Sequence, residues 1–417
     1  MTLRICIQLL LCAVFFFSQA GGLHSESTVL EITVRAGEHE RINTPVSLNI
    51  IGAISANVSG LELYETTAGA NRVVPSQILA SETTHLCWIL DGNTPAGGER
   101  TFALKSGIRQ LHHDDVIEIE MSNSALTIGT SGQRSVTYNY GLIPPPEVNS
   151  DLYVRSGFIH PIRTPDGKVL TRIHPSDHIH HMGFWNPWTK TVFEGREVDF
   201  WNLGDGQGTV RFKKFTELYT GAVVGGFEAL HQYIDLTAPG GEKAALNELW
   251  DVRVWNIPDT PDAWVWDFTT TQWTAGESPL EILKYRYGGF GFRGTADWNE
   301  QNSNYLTSEG KTREDGNGTR AKWCDVHGIT DQGPAGLIFM NHPVNREFPE
   351  PMRIWPQGDV YFGYCPVVES GFTIQLGQKY IRKYRVYVYD GEITPEQAER
   401  LWQDFGHPPE IEITGHN

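Results

Sequence analysis

The densest chemistry in the chain is His174-Pro175-Ser176-Asp177-His178-Ile179-His180-His181-Met182-Gly183-Phe184-Trp185, which holds four of the 15 histidines. Imidazole titrates nearest neutrality, so such a run can supply a proton donor and a proton acceptor together. His178, His180 and His181 are candidate catalytic residues, with Asp177 and Asp199 as carboxylates that orient them. His160, Arg163 and His174 lie close by as candidate substrate binders. Trp185, Trp188 and Trp201 offer flat apolar walls suited to the faces of a sugar ring. If the segment is extended, His178 and His180 share one face and His181 takes the other. His-x-His on a strand also suits a divalent metal, and His178, His180 and Asp199 form the alternative ligand set. Any one of these histidines can equally be a loop residue that only satisfies backbone.

Three further clusters carry polar chemistry. Lys322-Trp323-Cys324-Asp325-Val326-His327-Gly328 places a thiol three residues from an imidazole, a spacing for a nucleophile pair or a metal. Its alternative is a packed strand with a polar turn. Met340-Asn341-His342-Pro343-Val344-Asn345-Arg346, followed by Met352-Arg353 and Trp355, mixes amides, imidazole and guanidinium, and makes Asn341 and His342 candidate substrate binders. Tyr285-Arg286-Tyr287-Gly288-Gly289-Phe290-Gly291-Phe292-Arg293 interleaves aromatics with glycines, and Arg293 is a candidate binder of a carboxylate or hydroxyl.

Strands must position these groups. Val29–Val34, Val116–Met121 and Tyr384–Tyr389 alternate apolar and polar residues, and Trp-rich strands are expected at Leu249–Trp255 and Trp264–Trp273. The 43 glycines and 23 prolines predict many tight turns between short strands. One helix is expected, capped by Thr394, opened by Pro395, and apolar at Ala398, Leu401, Trp402 and Phe405, packed outside a sheet. The expected fold is mostly β: a large two-sheet sandwich over 115–405 that carries the site, preceded by a small β domain over 28–108 with the boundary near 108–114. No nucleotide-binding glycine motif and no alternating strand–helix rhythm are present.

Arg4, an apolar run from Ile5 to Phe17 and Ser18-Gln19-Ala20 read as a signal peptide over 1–20, so export to periplasm or medium is expected. Later segments are too short or too polar to span a bilayer as a helix. With 33 basic and 50 acidic residues the formal net charge is −17, which disfavours nucleic acid and anionic lipid as partners. Beyond the signal three cysteines remain, Cys87, Cys324 and Cys365, too few for a disulfide framework, and buried free thiols are expected.

Phe158-Ile159-His160-Pro161-Ile162-Arg163-Thr164-Pro165-Asp166-Gly167, Asp177 to Trp185, Val198-Asp199-Phe200-Trp201, Gly288 to Arg293, Trp323-Cys324-Asp325 and Asn341 to Asn345 together resemble a bacterial family of unknown function that carries the label PmoA. The resemblance runs through most of 115–390. It implies a β-sandwich similar to that of galactose mutarotases, in which a histidine serves as acid and a glutamate as base. His181-Met182-Gly183 resembles the His-Gly-Gly segment of that group. The glutamate's expected place falls near Asn341-His342, where this sequence has none.

Three functions remain open at this level. The first is an exported enzyme acting on a sugar or glycan by His/Asp acid–base chemistry, as hydrolase, lyase or epimerase, without a cofactor. The second is a non-catalytic carbohydrate-binding protein of the cell envelope. The third is a metal-dependent oxygenase or hydrolase built on His178, His180 and a carboxylate.

Overall fold

A computed structural model describes residues 27–416 except 55–59, 81–83, 107–115, 147–149, 259 and 261. The signal peptide and the proposed boundary near 108–114 lie outside the described residues. Of the described residues 53% are in strands and 6% in helices, which bears out a mostly-β fold.

Two eight-stranded antiparallel sheets form the centre. The first runs, in spatial order, Gly208–Tyr219, Val224–Asp235, Lys243–Trp255, Ala263–Thr274, Tyr380–Asp390, Gly333–Asn341, Trp323–Thr330, Ser303–Thr307. The second runs Met352–Ile354, Tyr361–Tyr364, Gly291–Arg293, Phe184–Trp185, Phe158–Ile162, Arg134–Asn139, Ala125–Gly129, Glu118–Met121. Strand periodicity explains their mating. In Ala263–Thr274 the residues Trp264, Trp266 and Phe268 face the shared core, while Asp267 points away to bind Arg385 at 2.6 and 2.9 Å. Phe184, Phe290, Phe292, Phe339, Phe362 and Tyr384 meet in the same core. Each such side chain contributes about 1.5–3 kcal/mol on full burial.

The long strands expected at Leu249–Trp255 and Trp264–Trp273 are present and extend further. The helix Pro395–Gly406 begins with the capping box read from Thr394. Its Ala398, Trp402 and Phe405 cover Trp323, Ile338 and Met340 on the outer face of the first sheet. Cys87, Cys324 and Cys365 are buried free thiols.

The N-terminal strands make two smaller sheets, one of five strands and one of three, around a core of their own that includes Leu30, Ile32, Trp88 and Phe102. One member of the five-stranded sheet comes from the far end of the chain: Glu410–His416 pairs antiparallel with Ser27–Arg35. Arg41 reinforces this return. Buried, it donates to Asp404 Oδ1 at 3.2 Å and to the His407 carbonyl at 2.7 Å. No helix among the described residues is long and apolar enough to cross a membrane.

Candidate functional site

The site grows out of the alternation of three short strands in the second sheet. Phe184, Phe292 and Phe362 stand side by side and point into the core. Their neighbours Trp185, Arg293 and Tyr361 therefore point to the opposite face. Arg293 and Tyr361 are direct cross-strand partners, and Trp185 lies opposite Gly291. Gly291 has to be small: a Cβ there would sit 2.6 Å from Trp201 and 3.2 Å from Trp185.

The histidine loop closes over this face. The expected extended geometry is not found. Pro175 makes a turn in which His178 N–H reaches the Pro175 carbonyl at 3.1 Å, and a second turn joins His181 N–H to the His178 carbonyl at 2.8 Å. His174 N–H returns to the His181 carbonyl at 2.9 Å and Ile173 bridges Met182, so the loop is a closed double turn. Three histidines thus gather on one side instead of two. His178 and His181 stack at 4.8 Å, and His180 meets His181 edge-on at 4.8 Å. His181 also lies 4.8 Å from Trp185 and stacks on Tyr361 at 5.3 Å. Gly183 ends the loop at φ +70, pressed so close to the sheet that a Cβ would come within 2.6 Å of the Ile159 carbonyl.

Charge is arranged around Arg293. Its guanidinium is fully buried, donates to Asp177 at 2.7 and 2.8 Å and to Asp359 at 2.7 Å, and lies 4.8 Å under the Trp355 ring. Arg172 pairs with the same Asp359. Asp177 also holds His178 Nδ1 at 3.1 Å. Burial by itself would raise the Asp177 carboxyl, but the hydrogen bonds and charge of Arg293 hold it below the usual carboxylate range. The histidines go the other way. Burial, then the charge of His178 and other cations, pushes His180 down to about 4. Burial, with His180 and Arg293 beside it, takes His181 well below 6.5. Both rings are therefore neutral at neutral pH. Among the described residues, His181 Nδ1, Tyr361 Oη, Trp185 Nε1 and two guanidinium nitrogens of Arg293 are buried without a protein hydrogen-bond partner.

The remaining candidates divide. Trp201 stays with the cluster, 4.9 Å from Trp185 and 5.4 Å from Tyr287, but Trp185 and Trp201 are buried as its floor. The half-buried aromatics packed against this cluster include Trp355 and Tyr287. His174 is a loop-closing residue at φ +49 whose Nδ1 bonds the Ile179 carbonyl at 2.8 Å. His160 shares a 2.9 Å hydrogen bond with Thr171, and burial, with Arg163 and His174 near, pushes it down to about 4. No hydrogen bond or ion pair joins Arg163 to the histidine loop among the described residues; its backbone bonds Ser135 and bridges Val169.

Several expectations need correction. Asp199 does not orient a histidine: its oxygens accept Trp201 N–H at 2.7 Å, Asn202 N–H at 2.8 Å and Asn202 Nδ2 at 2.7 Å, so it fixes the turn that presents Trp201. Among the described residues no group of three or more His, Cys, Asp or Glu side chains is placed to hold a metal, so His178, His180 and Asp199 do not assemble as ligands. Asn341 and His342 lie elsewhere. Asn341 is buried against Glu350 at 3.0 Å, and His342 packs on Phe405 of the helix at 4.9 Å. Cys324 and His327 cannot act as a pair, because alternation sends Cys324 into the core and His327 to the outer face.

The sequence reading passed over Tyr361, Asp359 and Arg172, and met Trp355 only as a neighbour of another loop. The pattern Tyr361-Phe362-Gly363-Tyr364 carried a strand signal, but nothing local told which face would meet the histidines. A glutamate does stand beside Asn341, namely Glu350, which burial pushes up to about 7. It is enclosed by Tyr384 and Asn341 inside the sandwich.

No curated protein matches the chain. Among solved structures, the heparan sulfate lyase HepC from Pedobacter heparinus matches at TM-score 0.28 and 10% identity, over 67% of this chain and 36% of that one. A mutant of that lyase matches at TM-score 0.29 and 9% identity, over 70% of this chain and 38% of that one. The chain thus spans well under half the length of these enzymes. Residues 125–403 match a family of unknown function, DUF6807, and the chain belongs to that family.

Proposed function

We propose that this chain is an exported carbohydrate-active enzyme whose histidine loop removes a proton from a sugar carbon next to a carbonyl or carboxyl group, in a lyase or epimerase reaction. One observation carries this reading: neutral His180 and His181 stand beside an ion-paired Arg293 in an aromatic cluster. A neutral imidazole can accept a proton, and a fixed guanidinium can stabilise the enolate that results.

Hydrolysis is less well served. It ordinarily uses two carboxyl groups, one of them protonated. The two carboxylates at this site, Asp177 and Asp359, are both bound to Arg293 and serve to hold it. In elimination, the base takes the proton, the C–O bond to the leaving group breaks, and the freed oxygen receives a proton from an imidazolium or from the Tyr361 hydroxyl. In epimerisation the proton returns to the opposite face of the same carbon. The half-buried Trp355 and Tyr287 suit stacking on a sugar ring. Export is supported by the charged and apolar start of the sequence.

The test is turnover of a panel of uronate-containing and oxidised glycans in deuterated water. Deuterium should enter the product at the abstracted carbon or a new C=C absorbance should appear, and His181→Ala should slow either about 100-fold or more. Full turnover by both His181→Ala and His180→Ala on a glycan that the chain converts would refute the assignment. Glycan binding with no product would favour a binding protein instead.

A further inference from the structure

We propose that the cavity on the outer face of the first sheet, bordered by Asp325, His327 and Tyr389, is a second ligand site that takes an amine-bearing polyol such as an amino sugar. The proposal does not depend on the histidine loop being catalytic.

The site follows from strand alternation. In Trp323–Thr330, Cys324 and Val326 enter the core, so Asp325 and His327 face outward. The helix covers this face at Trp323 and Tyr389. Beside that cover lies a cavity of about 680 Å³, large enough for a monosaccharide or disaccharide. Asp325 is buried and both of its oxygens are used: Oδ2 bonds His327 Nδ1 at 2.7 Å, and Oδ1 accepts the Tyr389 hydroxyl at 2.8 Å. The Tyr389 contact requires Gly336 between them. Gly336 is the cross-strand partner of both His327 and Tyr389, and a Cβ on it would lie 2.3 Å from the Tyr389 hydroxyl. The arrangement therefore fixes the imidazole from behind. His327 remains 38% exposed, and its Nε2 has no protein partner among the described residues. A carboxylate that orients an imidazole whose other nitrogen faces a cavity is a device for addressing a ligand hydroxyl.

The charge of the lining selects the ligand. Glu300, Glu314 and Glu392 stand exposed around the cavity. The cation among the lining residues, Arg313, is turned to the Ser303 carbonyl at 3.3 Å and the Trp355 carbonyl at 3.0 Å. Burial works to lower His327, but the hydrogen bond and charge of Asp325, with Glu392 near, raise it above its ordinary value. Even with that imidazole charged, the carboxylates outnumber the cations. A carboxylated or sulfated sugar is repelled and an ammonium group is attracted. Ile329, 58% exposed, offers an apolar wall for a ring face.

The experiment is ligand-observed saturation-transfer NMR on the full chain with glucosamine, glucose and glucuronate at neutral pH. Glucosamine should bind most tightly and glucuronate least. His327→Gln and the exposed Glu392→Gln should each weaken glucosamine, the former by about tenfold as one charge-assisted hydrogen bond is lost. His181→Ala should leave it unchanged. The proposal is overturned if glucosamine does not bind, if glucuronate binds as well as glucosamine, or if both cavity variants bind normally. Loss of binding in His181→Ala alone would also overturn it, by placing the ligand in the histidine pocket.

Discussion

At the scale of single residues, the site is a balance between burial and charge. His180 and His181 are pushed into the neutral form by the same enclosure that strengthens the Arg293 ion pairs. A pH dependence of stability follows. An unfolded histidine titrates near ~6.5. In the folded chain burial pushes His160 and His180 down to about 4, so on acidification the unfolded chain takes up protons first. Their contribution is therefore complete above the unfolded value and is lost as pH falls from there towards 4. Urea unfolding at pH 7 and pH 5 should give lower stability at pH 5. His180→Gln should make that slope shallower, and an equal slope in the variant would show that His180 is not held neutral. None of these shifts was legible in the sequence, because each depends on which neighbours burial brings together. The residue types were legible: imidazoles, carboxylates and tryptophans crowded into one segment.

At the scale of elements, the histidine loop works because its ends are pinned to the sheet. Gly183 is the point of closest approach, at a positive φ and against the Ile159 carbonyl. Gly183→Ala should cost about 2 kcal/mol or more, since both the backbone conformation and the contact oppose it. Denaturation would measure the cost, and the histidine ring resonances should shift together. An unperturbed stability would show that the loop does not need this approach. The capping box at Thr394 and the Trp-rich strands could be read directly, since caps and alternation are local signals. The double turn at Pro175–His181 could not. A polar segment with histidines at i and i+2 looks extended until the bridge between Ile173 and Met182 is known.

At the scale of the whole molecule, the last strand completes the five-stranded N-terminal sheet. Glu410–His416 lies on Ser27–Arg35, and Ile411 and Ile413 pack against the N-terminal core. A chain ended after residue 408 should leave Ser27–Arg35 with an open edge and lose those two apolar contacts. Hydrogen exchange should then accelerate in the N-terminal sheets, with Phe158–Ile162 and the histidine loop still protected. Equal protection throughout the truncated chain would show that the strand adds nothing.

The sequence by itself determined the mostly-β class, the one capped helix and the place where imidazoles concentrate, because periodicity, capping and composition act over a few residues. Only the tertiary structure decided which groups surround those imidazoles. Asp199 and His342 have the right chemistry but are held by their own turns and by the helix. Asp359, Tyr361 and Arg293 reach the histidines because neighbouring strands are joined across distances in sequence that no local rule spans. The same is true of Tyr389, which meets Asp325 only across Gly336 on the strand between them.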